Sequence, residues 1–170
     1  MPAGSTYEPI ATTTLGSATA SVTFSSISGS YTDLVLVANV ADNGGTNVYL
    51  QVGNGSIDTA SNYSTTVLTG NGTTAYSYRE SSQTQILYAF EGTPPASPSF
   101  GTYIINLNNY SNATTFKTAL IRANSASSGT DAIVGLWRST SAINTIKLSC
   151  QGATVYSTGS TFTLYGIAAA

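Results

Sequence analysis

The chain has 170 residues, of which only 7% are charged, with no histidine, one cysteine and a formal net charge of -2. Ordinary globular domains carry about 25% charged residues, so few groups here can do acid–base work, and the composition argues against an enzyme. The cations Arg79, Lys117, Arg122, Arg138 and Lys147 are scattered singly and form no basic stripe for phosphates, which speaks against a nucleic-acid partner.

A chain of this length buries about 70% of its unfolded surface and sustains one core, so residues 1–170 are read as a single domain. Residues 1–8 have neither a basic region nor an apolar core of a signal peptide. No segment approaches the roughly 18 apolar residues of a membrane helix. The expectation is a protein made in the cytoplasm and not inserted in a membrane. A lone Cys150 excludes an internal disulfide, so stability must come from packing and strand pairing.

In chain order, residues 1–17 read as an extended N-terminal arm. Ala20, Val22 and Phe24 then alternate with Ser21, Thr23 and Ser25, the period of a half-buried strand. Residues 34–38 are apolar on both faces, as in a central strand covered twice or a strand at a subunit interface. Asn43-Gly44-Gly45 signals a hairpin, because both central positions of a type I′ turn need positive φ. Val48, Leu50 and Val52 alternate with Tyr49 and Gln51, and Asn54-Gly55 opens a longer loop. Residues 65–68 and 75–78 flank a second hairpin signal, Asn71-Gly72, and residues 84–90 follow as a strand. The proline-rich stretch 92–98 removes donors and fixes φ, so it reads as an extended connection between sheets. Tyr103, Ile105 and Leu107 alternate again. Residues 116–122, 133–137, 143–149 and 161–167 complete the set, and 133–137 is the second run apolar on both faces. No window shows a helical stripe. About ten short strands with frequent turns indicate an all-β, single-domain, two-sheet β-sandwich, jelly-roll-like in its closure.

Chemistry is sparse. A serine or cysteine nucleophile needs a base, and no histidine exists to supply it. The carboxylates Glu8, Asp33, Asp42, Asp58, Glu80, Glu91 and Asp131 fall singly near expected turns and strand ends, as turn-formers or solvated groups do. No catalytic residue and no cofactor site is assigned. Zinc ligands are lacking, and the oxygen-rich loop 42–47 lacks the spaced acidic ligands of a calcium loop, so no metal site is assigned either. The eleven tyrosines retain chemical promise, since aromatic faces stack on sugars or fill protein interfaces. Tyr63, Tyr76, Tyr78 and Tyr88 are the candidate contact residues; the alternative is that strands favour tyrosine for its one apolar face and one wet hydroxyl. Trp137, inside an apolar run, is expected in the core or at an interface.

Three N-terminal blocks carry a family resemblance: Tyr7-Glu8-Pro9-Ile10-Ala11-Thr12-Thr13-Thr14-Leu15, Val22-Thr23-Phe24-Ser25-Ser26-Ile27 and Tyr31-Thr32-Asp33-Leu34-Val35-Leu36-Val37. So do Ser61-Asn62-Tyr63-Ser64, Gly135-Leu136-Trp137-Arg138-Ser139-Thr140 with Ala142-Ile143, and Gly159-Ser160-Thr161-Phe162-Thr163-Leu164-Tyr165-Gly166-Ile167. In this order the chain resembles a recurrent group of virion structural proteins of tailed bacteriophages, common in phages of marine and freshwater bacteria and described as head-decoration, fibre or tail-associated. The resemblance implies a structural role without fixing the place on the particle.

With no heptad repeat and no long shaft, a compact decoration or cement subunit fits better than a complete fibre. The expectation is a non-enzymatic protein at the virion surface that self-associates, with a homotrimer favoured, and binds the major capsid protein or other virion proteins. The alternative is a receptor-binding tip or fibre-associated adhesin that recognises a host glycan.

Overall fold

The structure is a computed structural model and describes residues 6–168. Among these, thirteen strands and no helix occur. In chain order they are β1 (Tyr7–Thr14), β2 (Ser21–Phe24), β3 (Asp33–Val40), β4 (Val48–Asn54), β5 (Ser56–Ile57), β6 (Tyr63–Gly70) and β7 (Ala75–Gln83). Then follow β8 (Ile86–Ala89), β9 (Gly101–Asn108), β10 (Lys117–Ser125), β11 (Gly129–Trp137), β12 (Thr145–Cys150) and β13 (Thr161–Ile167).

Two antiparallel sheets result. The larger has eight strands in the order β1-β13-β3-β9-β10-β11-β6-β7; the smaller has five, β2-β12-β4-β5, with β8 also paired to β4. The four-strand cores β1-β13-β3-β9 and β2-β12-β4-β8 alternate between the sheets along the chain except at β4 and β8, which pair with each other, and they set β1 beside β13. That is the double Greek-key order of a jelly roll. The remaining strands β10, β11, β6 and β7 extend the larger sheet past β9.

Period-two patterning explains the core. Along β10 buried and exposed residues alternate without a break, and Ala119, Ile121 and Ala123 point inward. Leu34, Leu36 and Ala38 of β3 and Ile105 of β9 join them from the larger sheet; Leu50 of β4 and Ile146 and Leu148 of β12 face them from the smaller. The sheets approach closely over Gly135 of β11, where a Cβ would stand 2.6 Å from Ile86 Cγ2 of β8. Only a residue without a side chain admits that contact.

Several expectations are corrected. Within the stretch read as an N-terminal arm, Tyr7–Thr14 pairs with β13 of its own chain; residues 1–5 lie outside the described residues. Pro9 fits there because an edge strand needs no inter-strand donor on its free side. Asn43-Gly44-Gly45 makes no hairpin: it joins β3 in one sheet to β4 in the other. Asn54-Gly55 opens no long loop but turns β4 tightly into β5, with Asn54 opposite Ser56. Asn71-Gly72 does turn β6 into β7, with Gly70 opposite Ala75. The stretch 92–98 crosses from β8 to β9 and so from the smaller sheet to the larger.

Candidate functional site

The four tyrosines expected at a contact surface fall into two groups. Tyr63 and Tyr88 are fully buried and offer no face to a ligand or partner. Tyr63 begins β6 on its inward face; its Oη accepts from the Val52 N–H at 3.2 Å and lies 2.8 Å from the Val52 carbonyl and 2.9 Å from that of Asp58. Burial drives its phenol well above the usual range. Tyr88 sits in a strand whose four residues are all buried, with its hydroxyl hydrogen-bonded to that of Tyr156.

Tyr76 and Tyr78 stand on β7, opposite Thr69 and Val67, and so on the inward side of the larger sheet. That sheet is wider than its partner, and β7 overhangs the β8 edge with no strand facing it. Phe90 meets both rings edge-on, at 6.2 Å from Tyr76 and 5.2 Å from Tyr78. The Tyr76 hydroxyl donates to Glu91 at 2.6 Å, and that bond first, then burial, pushes its phenol up to about 12.

Under the overhang lies a cleft of about 470 Å³. One wall is Tyr78, Glu80 and Gln83 of β7; the other is Tyr49, which points out of the smaller sheet opposite Leu87. Asn47, Gln85 and Gln151 stand around it, and Phe90 closes one side. Burial raises the Tyr49 phenol above its ordinary range, a hydrogen bond with Asn47 opposes this, and the charge of Glu80 across the cleft raises it further. Among the candidate tyrosines only Tyr78 lines this cleft; Tyr49 and the amides were not singled out from the sequence.

A second surface is the outer face of the larger sheet. Leu120 pairs with Val134, and Leu68 with Ala132. Leu68, Leu120 and Val134 are 61%, 45% and 47% exposed, and they border a groove of about 620 Å³. The run 133–137 is thus covered once: Ile133 and Trp137 face the core and Val134 faces solvent. The run 34–38 differs, because its outward Val35, flanked by Tyr165 and Asn106, is only 8% exposed.

Of the carboxylates expected to form turns or to be solvated, Asp131 and Asp42 are buried, and Asp42 does form a turn. Asp131 accepts from the Thr69 hydroxyl and from the backbone N–H groups of Phe90, Glu91 and Gly92, clamping the connection after β8 onto β11. Asp42 Oδ1 accepts from the N–H groups of Gly44 and Gly45, which makes the oxygen-rich loop an Asx turn. Its Oδ2 and the hydroxyl of Thr46 are buried without a partner. Among the described residues, no three His, Cys, Asp or Glu side chains are grouped so as to hold a metal ion. Compared with known proteins, the chain matches no family model and no curated sequence.

Proposed function

We propose that the chain is a non-enzymatic virion structural protein of a tailed bacteriophage, a decoration subunit that self-associates on the outside of the capsid and binds the major capsid protein there. The observation that carries this reading is the outer face of the eight-stranded sheet, where Leu68, Leu120 and Val134 are exposed together. Eight strands about 4.8 Å apart and roughly 25 Å long present a face of about 1,000 Å². A stable interface buries about 800 Å² per partner, so this face is large enough for one contact between copies, and the trimer we favour takes a second patch on each subunit. Its charged side chains are Arg122 near the middle and Arg79 and Asp33 toward the edges, which leaves little charge to desolvate.

The non-enzymatic part is supported by the tasks of the carboxylates, since Asp131, Asp58 and Asp42 hold turns and loops through hydrogen bonds. The location is supported by the resemblance in the sequence blocks. No helix among the described residues is long and apolar enough to cross a membrane.

The test is stoichiometry with mass. Purified virions should hold tens to hundreds of copies, as a lattice-repeating subunit requires, and the isolated protein should scatter light as an oligomer. Leu120→Glu with Val134→Glu, both at exposed positions, should keep the far-ultraviolet dichroism of the parent and give a monomer mass. A handful of copies per virion, with adsorption lost in their absence, would overturn the decoration role.

A further inference from the structure

We propose that the cleft beneath β7 is a saccharide-binding site that takes an uncharged sugar, one ring or two, with neighbouring hydroxyls directed at its amides. The inference goes beyond the decoration role and does not rest on where the chain sits on a particle.

Three observations carry it. The cleft is about 470 Å³, inside the roughly 300–1,000 Å³ range of small-ligand sites. Its walls are aromatic on both sides, Tyr49 from the smaller sheet and Tyr78 from the larger, with Leu87 between. Phe90 braces Tyr78 edge-on at 62°, so that ring stays set as a wall. Such faces stack on the C–H side of a pyranose, whose hydroxyls then point to the rim.

The rim is a set of side-chain amides. An amide offers a donor and an acceptor from one plane, which matches a hydroxyl pair that also does both. The amides of Gln85 and Gln151 have no hydrogen-bond partner among the described residues and are free for a ligand. Gln51, just outside, donates to the Thr84 carbonyl at 3.0 Å and holds the Gln85 segment in place.

Charge sets the class of sugar. Among the described residues no lysine or arginine lines the cleft, and Glu80 places a carboxylate in it. An acidic sugar or a phosphate would meet that charge with no counter-ion, whereas a neutral sugar gains an acceptor.

The experiment is heteronuclear NMR titration of the intact protein with glucose, galactose, mannose and N-acetylglucosamine and their short homo-oligomers. Sialyllactose and an oligouronate serve as charged controls. The expected result is shift changes confined to Tyr49, Tyr78, Gln85, Gln151 and their neighbours for at least one neutral sugar, with none for the charged pair. Gln85→Ala with Gln151→Ala should weaken that binding at least tenfold at unchanged melting temperature, while Leu120→Glu on the outer face should leave it unaltered. The inference is overturned by no shift at about 10 mM of any neutral probe, well above the ~1 mM of a weak site. Equal or tighter binding of the charged sugars, or unweakened binding in the double variant, overturns it as well.

Discussion

The indole N–H of Trp137 donates to a carboxylate oxygen of Asp58 at 2.7 Å, which ties the end of β11 to the loop after β5. Asp58 also accepts from the Asn62 amide and the Ala60 N–H, both at 2.8 Å. Partial burial raises its carboxyl, but the three donors outweigh burial and hold it below the ordinary value. A carboxyl depressed in the folded state adds stability above its unfolded pKa, and that stability is lost as pH falls through the folded value. Melting temperature should therefore fall from pH 5 to lower pH, and fall less in Asp58→Asn, which has no proton to take up. Trp137→Ala should cost about 3–5 kcal/mol in urea unfolding, because the ring is core-facing and only 3% exposed.

Asp131 sets a second expectation. It is 3% exposed and receives three consecutive backbone N–H groups and a hydroxyl. Asp131→Ala leaves these donors without an acceptor, at about 1–3 kcal/mol for each buried group. A total loss of at least about 3 kcal/mol is expected in chemical denaturation. Glu91→Ala, which removes a surface hydrogen bond with Tyr76, should cost under about 1 kcal/mol.

The buried tyrosines predict the alkaline limit. Tyr63, Tyr88, Tyr103, Tyr110 and Tyr156 are fully buried, and burial raises the phenol of each. An acid whose folded pKa lies above its unfolded one stabilises the fold while protonated, and the contribution falls as pH climbs past the unfolded value near 10. Phenolate absorbance should stay incomplete while the protein is folded, the five buried tyrosines ionising only together with loss of the dichroism signal. Ionisation of all eleven before unfolding would contradict the burial described.

Cys150 gives a probe of the same interior. It is 8% exposed, and burial first, then the nearby Asp42 charge, push its thiol up to about 12. The thiolate that thiol reagents need is therefore scarce at neutral pH. Labelling should be negligible in the native protein and complete in denaturant, with a rate that tracks global unfolding.

Much of the fold was legible in alternation, and the exceptions have physical causes. β1 carries Pro9 and a run of threonines at the sheet edge, where most positions are exposed, so no apolar alternation marks it. β5 is two residues long and has no period. Asn43-Gly44-Gly45 misled because a positive φ, here at Gly45, reports a sharp turn and not which sheet the next strand joins. Tyr63 and Tyr78 look alike in sequence, yet one lies beneath the opposing sheet and the other beneath an overhang. The cleft was invisible for a related reason: Tyr49, Gln85 and Gln151 are gathered by the pairing of β4 with β8 and β12, and Tyr78 and Glu80 reach them because β7 overhangs the smaller sheet, none of which is a property of any one segment.

Tyr7 stands opposite Ile167, and β3 lies between β13 and β9. During synthesis from the N-terminus, β1 therefore waits without a neighbour, and β3 with one flank open, until β13 has left the ribosome. Pairings this distant in sequence belong to the slow class of folding reactions. In that interval Pro9 acts on more than the finished edge, because it leaves the unpaired strand one N–H donor short. A waiting strand that lacks a donor is a poorer template for a second nascent chain, which favours closure on β13 of its own chain.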